Sequence, residues 1–267
     1  MSDLLWIVLS CAFLGCFVGF LAGLLGIGGG LIIVPFLSAI LVHFNLVVIE
    51  QVMVIAIATS LASIIFTSSS SALAHHKNSN IPWNIMPWIM IGVALGALIS
   101  GFVAGSIPAQ TLKVIFALCV SIIALRMLLN FQQKSHRRLP QKNILTLMTT
   151  GLGGLSGLLG IGGGALLVPL LTYFSVNMKK AIGCSAACGI IIALFGTFGY
   201  ISSGWSVTNL NQGFLGYVYL PALLAIVSTS AIFAQLGAKA TQYLPVKIIK
   251  KIFAVILSII AIRMLVV

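Results

Sequence analysis

A run of about 18 or more apolar residues is long enough to cross a lipid bilayer as a helix, and this chain of 267 residues carries several such runs. Those at 4–22, 52–74, 85–105 and 112–129 have counterparts in the second half at 144–159, 182–201, 214–236 and 246–267. Only 6% of the residues are charged, against about a quarter in an ordinary soluble domain, so too few charges exist to cover a water-facing surface. A closed transmembrane barrel would be written as alternating segments of about ten residues, whereas these runs are continuous. The expectation is an all-α, polytopic helical membrane protein whose surroundings are membrane lipid. No nucleic-acid partner is expected.

The first run is read as a retained helix and not as a secretory signal, because Asp3 stands where a signal would be basic and no small-x-small cleavage site precedes the next run. Cys11, Cys16, Cys119, Cys184 and Cys188 all lie in apolar runs without the paired spacing or histidine partners of a zinc site. They are expected to be small buried packing residues, and neither a metal nor a cofactor is expected.

An internal repeat organises the chain. The octapeptide GLLGIGGG at residues 23–30 recurs letter for letter at 157–164, and Val34 and Pro35 match Val168 and Pro169. Aligning 107–129 with 244–266 gives 12 identities in 23 positions, among them Pro108 with Pro245 and Arg126 with Arg263. The stretch between the halves holds Lys134, His136, Arg137, Arg138 and Lys142 and is the most polar in the protein. Residues 1–131 and 144–267 therefore read as two homologous transmembrane repeats joined by a basic cytoplasmic linker at 132–143.

Basic residues collect in cytoplasmic loops, so their distribution can orient the repeats. With four crossings per half, Lys and Arg divide 7 against 7 between the two faces. With a chain reversal at each glycine motif, either a re-entrant hairpin or a pair of short crossings, they divide 12 against 2, leaving only Lys113 and Arg263 on the face that also holds Asp3 and Glu50. The uneven division favours inverted repeats with the linker in the cytoplasm and both termini outside.

Gly26, Gly28, Gly29 and Gly30, and likewise Gly160, Gly162, Gly163 and Gly164, would each destabilise a helix interior by about 1 kcal/mol relative to alanine. They mark breaks. Apolar segments at 31–42 and 165–174 follow at once, so each break opens a helix whose first N–H groups lack intrahelical partners. Such groups attract anions, and broken helices in repeat-built transporters commonly form the substrate site near the membrane midplane. The competing reading is close helix packing, the expected role of Gly15, Gly19 and Gly23 and of Gly92 and Gly96 at four-residue spacing. Neither motif is a dinucleotide fingerprint or a Walker loop, since the strand-turn-helix context and the Lys-Ser/Thr ending are missing.

Small hydroxyl side chains are the remaining site candidates. Thr59 and Ser60 lie inside one long run, and Cys184 and Ser185 near the start of its counterpart. Their hydroxyls could donate to an oxyanion, or could bond back to their own helix. The run from Thr67 to Ser71 reads as helix packing or the wall of a wet cavity. His75 and His76 beside Lys77 read as a solvated juxtamembrane segment, and Arg126 and Arg263 as side chains that snorkel to the interface.

The duplicated Gly-x-Gly-Gly-Gly segments followed by proline, the Ala58-Thr59-Ser60 segment and the basic central loop resemble the TauE/SafE family of sulfite exporters and organosulfur-anion permeases over nearly the whole chain. The resemblance implies transport of sulfite, a sulfonate or a related small anion across the bacterial cytoplasmic membrane by a multi-pass protein, for which a homo-oligomer is compatible. In the second half Gly183-Cys184-Ser185 departs from the Thr-Ser pattern. The leading expectation is a secondary anion transporter; a passive anion channel is its nearest rival, ahead of a scaffold. An enzyme is not expected, because Asp3 and Glu50 are the only carboxylates and acid–base chemistry has little to work with.

Overall fold

A computed structural model describes residues 2–25, 29–129, 139–208, 210–240 and 246–266. Among them are eight long helices: α1 (Ser2–Leu25), α3 (Ile49–Lys77), α4 (Met86–Val103), α5 (Ala109–Leu128), α6 (Lys142–Leu159), α8 (Met178–Gly204), α9 (Leu220–Ala240) and α10 (Val246–Val266). Two short ones, α2 (Gly30–His43) and α7 (Gly164–Tyr173), follow the glycine motifs. Six of the long helices, α1, α3, α4, α5, α8 and α9, are long and apolar enough to cross a membrane. The protein is thus an all-α polytopic membrane protein.

Each of the eight apolar runs corresponds to one long helix, with one local departure. Residues 214–219, the start of the seventh run, form a hairpin of β1 (Phe214–Leu215) with β2 (Val218–Tyr219). Gly216 sits at the first central position of the turn with φ +55°, a conformation that primed hairpin turns require and that glycine adopts without steric penalty. The helix starts only at Leu220, ahead of Pro221, which lacks the N–H that a helix interior would need. Most of the expected linker at 132–143 lies outside the described residues; its last two, Lys142 and Asn143, already belong to α6.

Helices α3 and α8 form the centre and pack on each other. Their buried faces hold Ile55, Ile57 and Leu61 on one side and Ala181, Cys188 and Ile192 on the other. Around them the outer helices pair in a crossed manner: α1 packs on α9, α6 on α4, and α5 on α10. The outward faces carry large apolar side chains such as Trp6, Phe13, Ile99, Ile122, Phe198 and Ile262, which suit lipid and not water.

Close backbone approach makes the crossed pairs. A methyl group at Gly19 would lie 2.6 Å from Ser230 Cα, so α1 and α9 touch main chain to main chain. At the other pair, a methyl at Gly96 would lie 2.5 Å from the Gly154 nitrogen, and one at Gly153 2.5 Å from Val93 Cα. Inside a bilayer, where apolar side chains gain nothing by leaving lipid, such small-residue contacts and the hydrogen bonds they admit hold helices together. Thr229 Oγ1 donates to the Ala12 carbonyl at 2.9 Å across α1 and α9, and Thr146 Oγ1 to the Trp88 carbonyl at 3.1 Å across α6 and α4.

Candidate functional site

The two glycine breaks share one backbone geometry. Gly29 caps α2 at φ +77° and Gly163 caps α7 at φ +76°. Both are left-handed, a region costly for residues with a Cβ. The chain enters the second break through Gly160, the left-handed C-cap of α6 at φ +64°, which brings the Ile161 N–H back onto the Ser156 carbonyl at 2.9 Å. This glycine termination of α6 is the helix-ending motif that glycine favours. Gly26 and Gly28 lie outside the described residues.

Beyond each cap the helix ladder begins in the same way. Ile32 and Ile33 donate to the Gly29 carbonyl at 3.1 and 3.2 Å, and Leu166 and Leu167 to that of Gly163 at 3.1 and 2.7 Å. The N–H groups of Gly30 and Leu31, and of Gly164 and Ala165, come earlier and have no intrahelical acceptor. Neither cap residue bonds the helix start through a side chain. Each break therefore presents a helix N-terminus with its partial positive charge.

The breaks meet in the interior. Gly30 abuts the Gly160 carbonyl so closely that no Cβ could be accommodated there, and Gly29, Gly30, Gly160, Gly162 and Gly163 are all buried, with Gly164 half-buried. Gly29 lies against Val18 and Ala22 of α1, so α2 starts beside α1.

One face of α3 braces the junction. Ser60 Oγ donates to the Gly160 carbonyl at 2.9 Å, a bond between residues a hundred positions apart. One turn on, Ile64 lies against both breaks: a methyl at Gly30 would be 3.0 Å from its Cδ1, and one at Gly162 2.8 Å from its Cγ2. A further turn on, Ser68 lies beside Gly162. From α8, Gly189 closes the opposite side, since a methyl there would be 2.6 Å from the Gly162 carbonyl oxygen and 2.8 Å from Ser68 Oγ.

The other hydroxyl candidates occupy different places. Thr59 Oγ1 accepts the N–H of Tyr219 at 3.0 Å and so ties the hairpin to α3. Ser185 is buried, and its hydroxyl has no hydrogen-bond partner among the described residues. It lies 7 residues after the first residue of α8, whereas Ser60 lies 11 after the first of α3; the residue of α8 at the latter depth is Gly189. Ser63, Thr67 and Ser69 bond back to carbonyls three or four residues earlier on their own helix. Ile64 and Gly189 are thus neighbours of the breaks that sequence reasoning did not single out, and Ser68 is one that it read only within the run from Thr67 to Ser71, as helix packing or the wall of a wet cavity. For Ser68 and Ile64 the available signal was helical spacing from Ser60 on one face.

Among the described residues no charged side chain enters this geometry, and they contain no group of three or more His, Cys, Asp or Glu able to hold a metal. What converges is a set of buried N–H groups, carbonyls and hydroxyls. Donors of that kind can hold an anion without the desolvation penalty of burying a full positive charge.

Comparison with known proteins places these features in a family context. Residues 11–264 match the sulfite exporter TauE/SafE family. A "probable membrane transporter protein" of Haemophilus influenzae is 40% identical, with 96% of this chain and 97% of that protein aligned. Proteins bearing the same description in Methanocaldococcus jannaschii and Bacillus subtilis are 29% and 28% identical over 94% of this chain in both cases, covering 92% and 95% of their own lengths. No solved structure matches.

Proposed function

Given that the chain belongs to the sulfite exporter TauE/SafE family, we propose that this membrane transporter is a secondary carrier of a small anion, sulfite, a sulfonate or a related organosulfur anion, across the bacterial cytoplasmic membrane. The observation that carries this reading is the meeting of two helix-opening glycine breaks at Gly30 and Gly160 in the buried centre of the bundle. Each contributes a helix N-terminus, and the whole sequence holds only two carboxylates, Asp3 and Glu50. A cation carrier would be expected to place an acid on its pathway.

In this reading the substrate is held by main-chain N–H groups at the two breaks, in the segments of Gly26, Gly28, Gly29 and Gly30 and of Gly160, Gly162, Gly163 and Gly164. Ser60 acts by fixing the Gly160 carbonyl, and Thr59 by fixing the hairpin. Ser185 offers a hydroxyl from α8. Titration of the purified protein with sulfite, taurine, sulfate and an organic cation, followed by calorimetry or thermal shift, tests the site. Saturable responses to sulfite or the sulfonate, with mutual competition and no response to the cation, are expected; a response to the cation alone would reject the anion reading. Uptake or efflux against an imposed gradient in vesicles separates a carrier from a passive channel.

We further propose that the halves are inverted repeats, supported by the contact of Gly29 with Val18 and Ala22 of α1 and the uneven distribution of basic residues. Reporter fusions near Arg137 and at Val267 should then lie on opposite faces, the former in the cytoplasm. Finding both on one face would restore the parallel arrangement with four crossings in each half.

A further inference from the structure

Three sulfur-bearing side chains are brought together where α4 meets α8. Cys184 Sγ lies 3.2 Å from Met86 Sδ, and Cys188 follows Cys184 by one turn on the same face of α8. All three side chains are fully buried. The buried residues of α8 next to the two cysteines in sequence are Gly183, Ser185, Ala187 and Gly189, so the cysteines bring the only sulfur on this stretch of the helix.

A cavity of about 460 Å³ is lined by Pro82, Asn84 and Ile85 before α4 and by Val176, Asn177 and Lys180 at the start of α8. Ile85 directly precedes Met86, and Lys180 is one helical turn before Cys184 on the same face. The cavity therefore lies at the end of the bundle that carries the α3–α4 connection, and the three sulfur residues, fully buried, do not line it.

We propose that Met86, Cys184 and Cys188 form a binding site for a soft monovalent metal ion, copper(I) or silver(I). Thiolate and thioether ligands select copper(I) over harder ions, and three sulfurs without a fourth protein ligand do not meet the tetrahedral demand of a structural zinc site. On binding, each thiol that becomes a ligand releases its proton to water. The metal keeps its oxidation state, so no electron is transferred. A bound ion would join α4 to α8. The inference does not depend on the anion reading, and its readout is metal binding and not transport.

The test uses the full chain purified in detergent with Cys11, Cys16 and Cys119 replaced by alanine, titrated with copper(I) buffered by a bathocuproine chelator and ascorbate, and separately with silver(I). One equivalent of metal should be retained against the chelator. Cys184→Ala with Cys188→Ala should abolish retention. Loss of partners merely outside the ligand shell weakens metal binding by about 10- to 100-fold, so Met86→Leu should weaken it at least about tenfold. If the double alanine variant does not run as a monodisperse species, the near-isosteric Cys184→Ser and Cys188→Ser variants take its place. Retention no greater than in the cysteine-free protein, or affinity unchanged by Met86→Leu, overturns the site.

Discussion

Gly163→Val is expected to lower anion transport by at least about tenfold while inserted protein is still recovered. Gly163 caps α7 at φ +76°. Backbone strain in this region amounts to about 1–3 kcal/mol for an ordinary non-glycine residue, and a β-branched side chain is a worse occupant than most. A methyl there would also lie 2.7 Å from Ile192 Cδ1 and 3.1 Å from Leu167 Cδ1. A shift of about 1.4 kcal/mol against the capped arrangement already means a tenfold fall in its relative population. Flux into vesicles, normalised to inserted protein, measures the effect. Gly151→Ala is the matched control, since a methyl at that exposed position of α6 meets nothing within 4 Å. Equal transport by both variants would remove the second break from the substrate path.

Gly19→Leu should do more damage, to assembly. At Gly19 a Cβ would sit 2.6 Å from Ser230 Cα and closer still to the Ser230 carbonyl oxygen. These are backbone atoms of α9 and have no rotamer by which to yield. Accommodation requires the two helices to separate, which also breaks the bond from Thr229 to the Ala12 carbonyl. Leucine is as content in lipid as in protein, so nothing drives the helices back together. The expected result is loss of the monodisperse species on size exclusion in mild detergent, or a large fall in unfolding temperature. Gly96→Leu should behave alike, because it separates α4 from α6 at Gly153 and Gly154. Normal stability in both variants would show that these glycine contacts are dispensable.

The spans and the breaks were legible in the sequence because hydropathy and helix propensity are local properties. The apolar segments at 31–42 and 165–174 coincide to within a residue or so with α2 and α7, since a glycine run ends one helix and the next apolar stretch starts another. Pairings were not legible. Ser60 was marked as a hydroxyl in a long run, yet nothing nearby in the chain indicates that its acceptor is the Gly160 carbonyl. Thr59 likewise meets Tyr219, in a segment where the apolar run hid a hairpin, because Phe214, Leu215, Val218 and Tyr219 suit a buried strand as well as a helix. The sulfur cluster escaped for the same reason: Cys184 and Cys188 are neighbours in sequence, but Met86 joins them only through the contact of α4 with α8.

The crossed pairing of α1 with α9 also sets an order of events during synthesis. Chains emerge from the N-terminus, so α1 enters the bilayer long before its partner exists and must wait through the production of almost 200 residues between Leu25 and Leu220. Throughout that interval its glycine face at Gly15, Gly19 and Gly23 is open to any other small-residue helix in the membrane. The pair α4 and α6 closes much sooner, since fewer than 40 residues separate Val103 from Lys142. Nascent chains halted before Leu220 should accordingly hold α4 and α6 together while α1 remains available to insertion factors or to proteolysis.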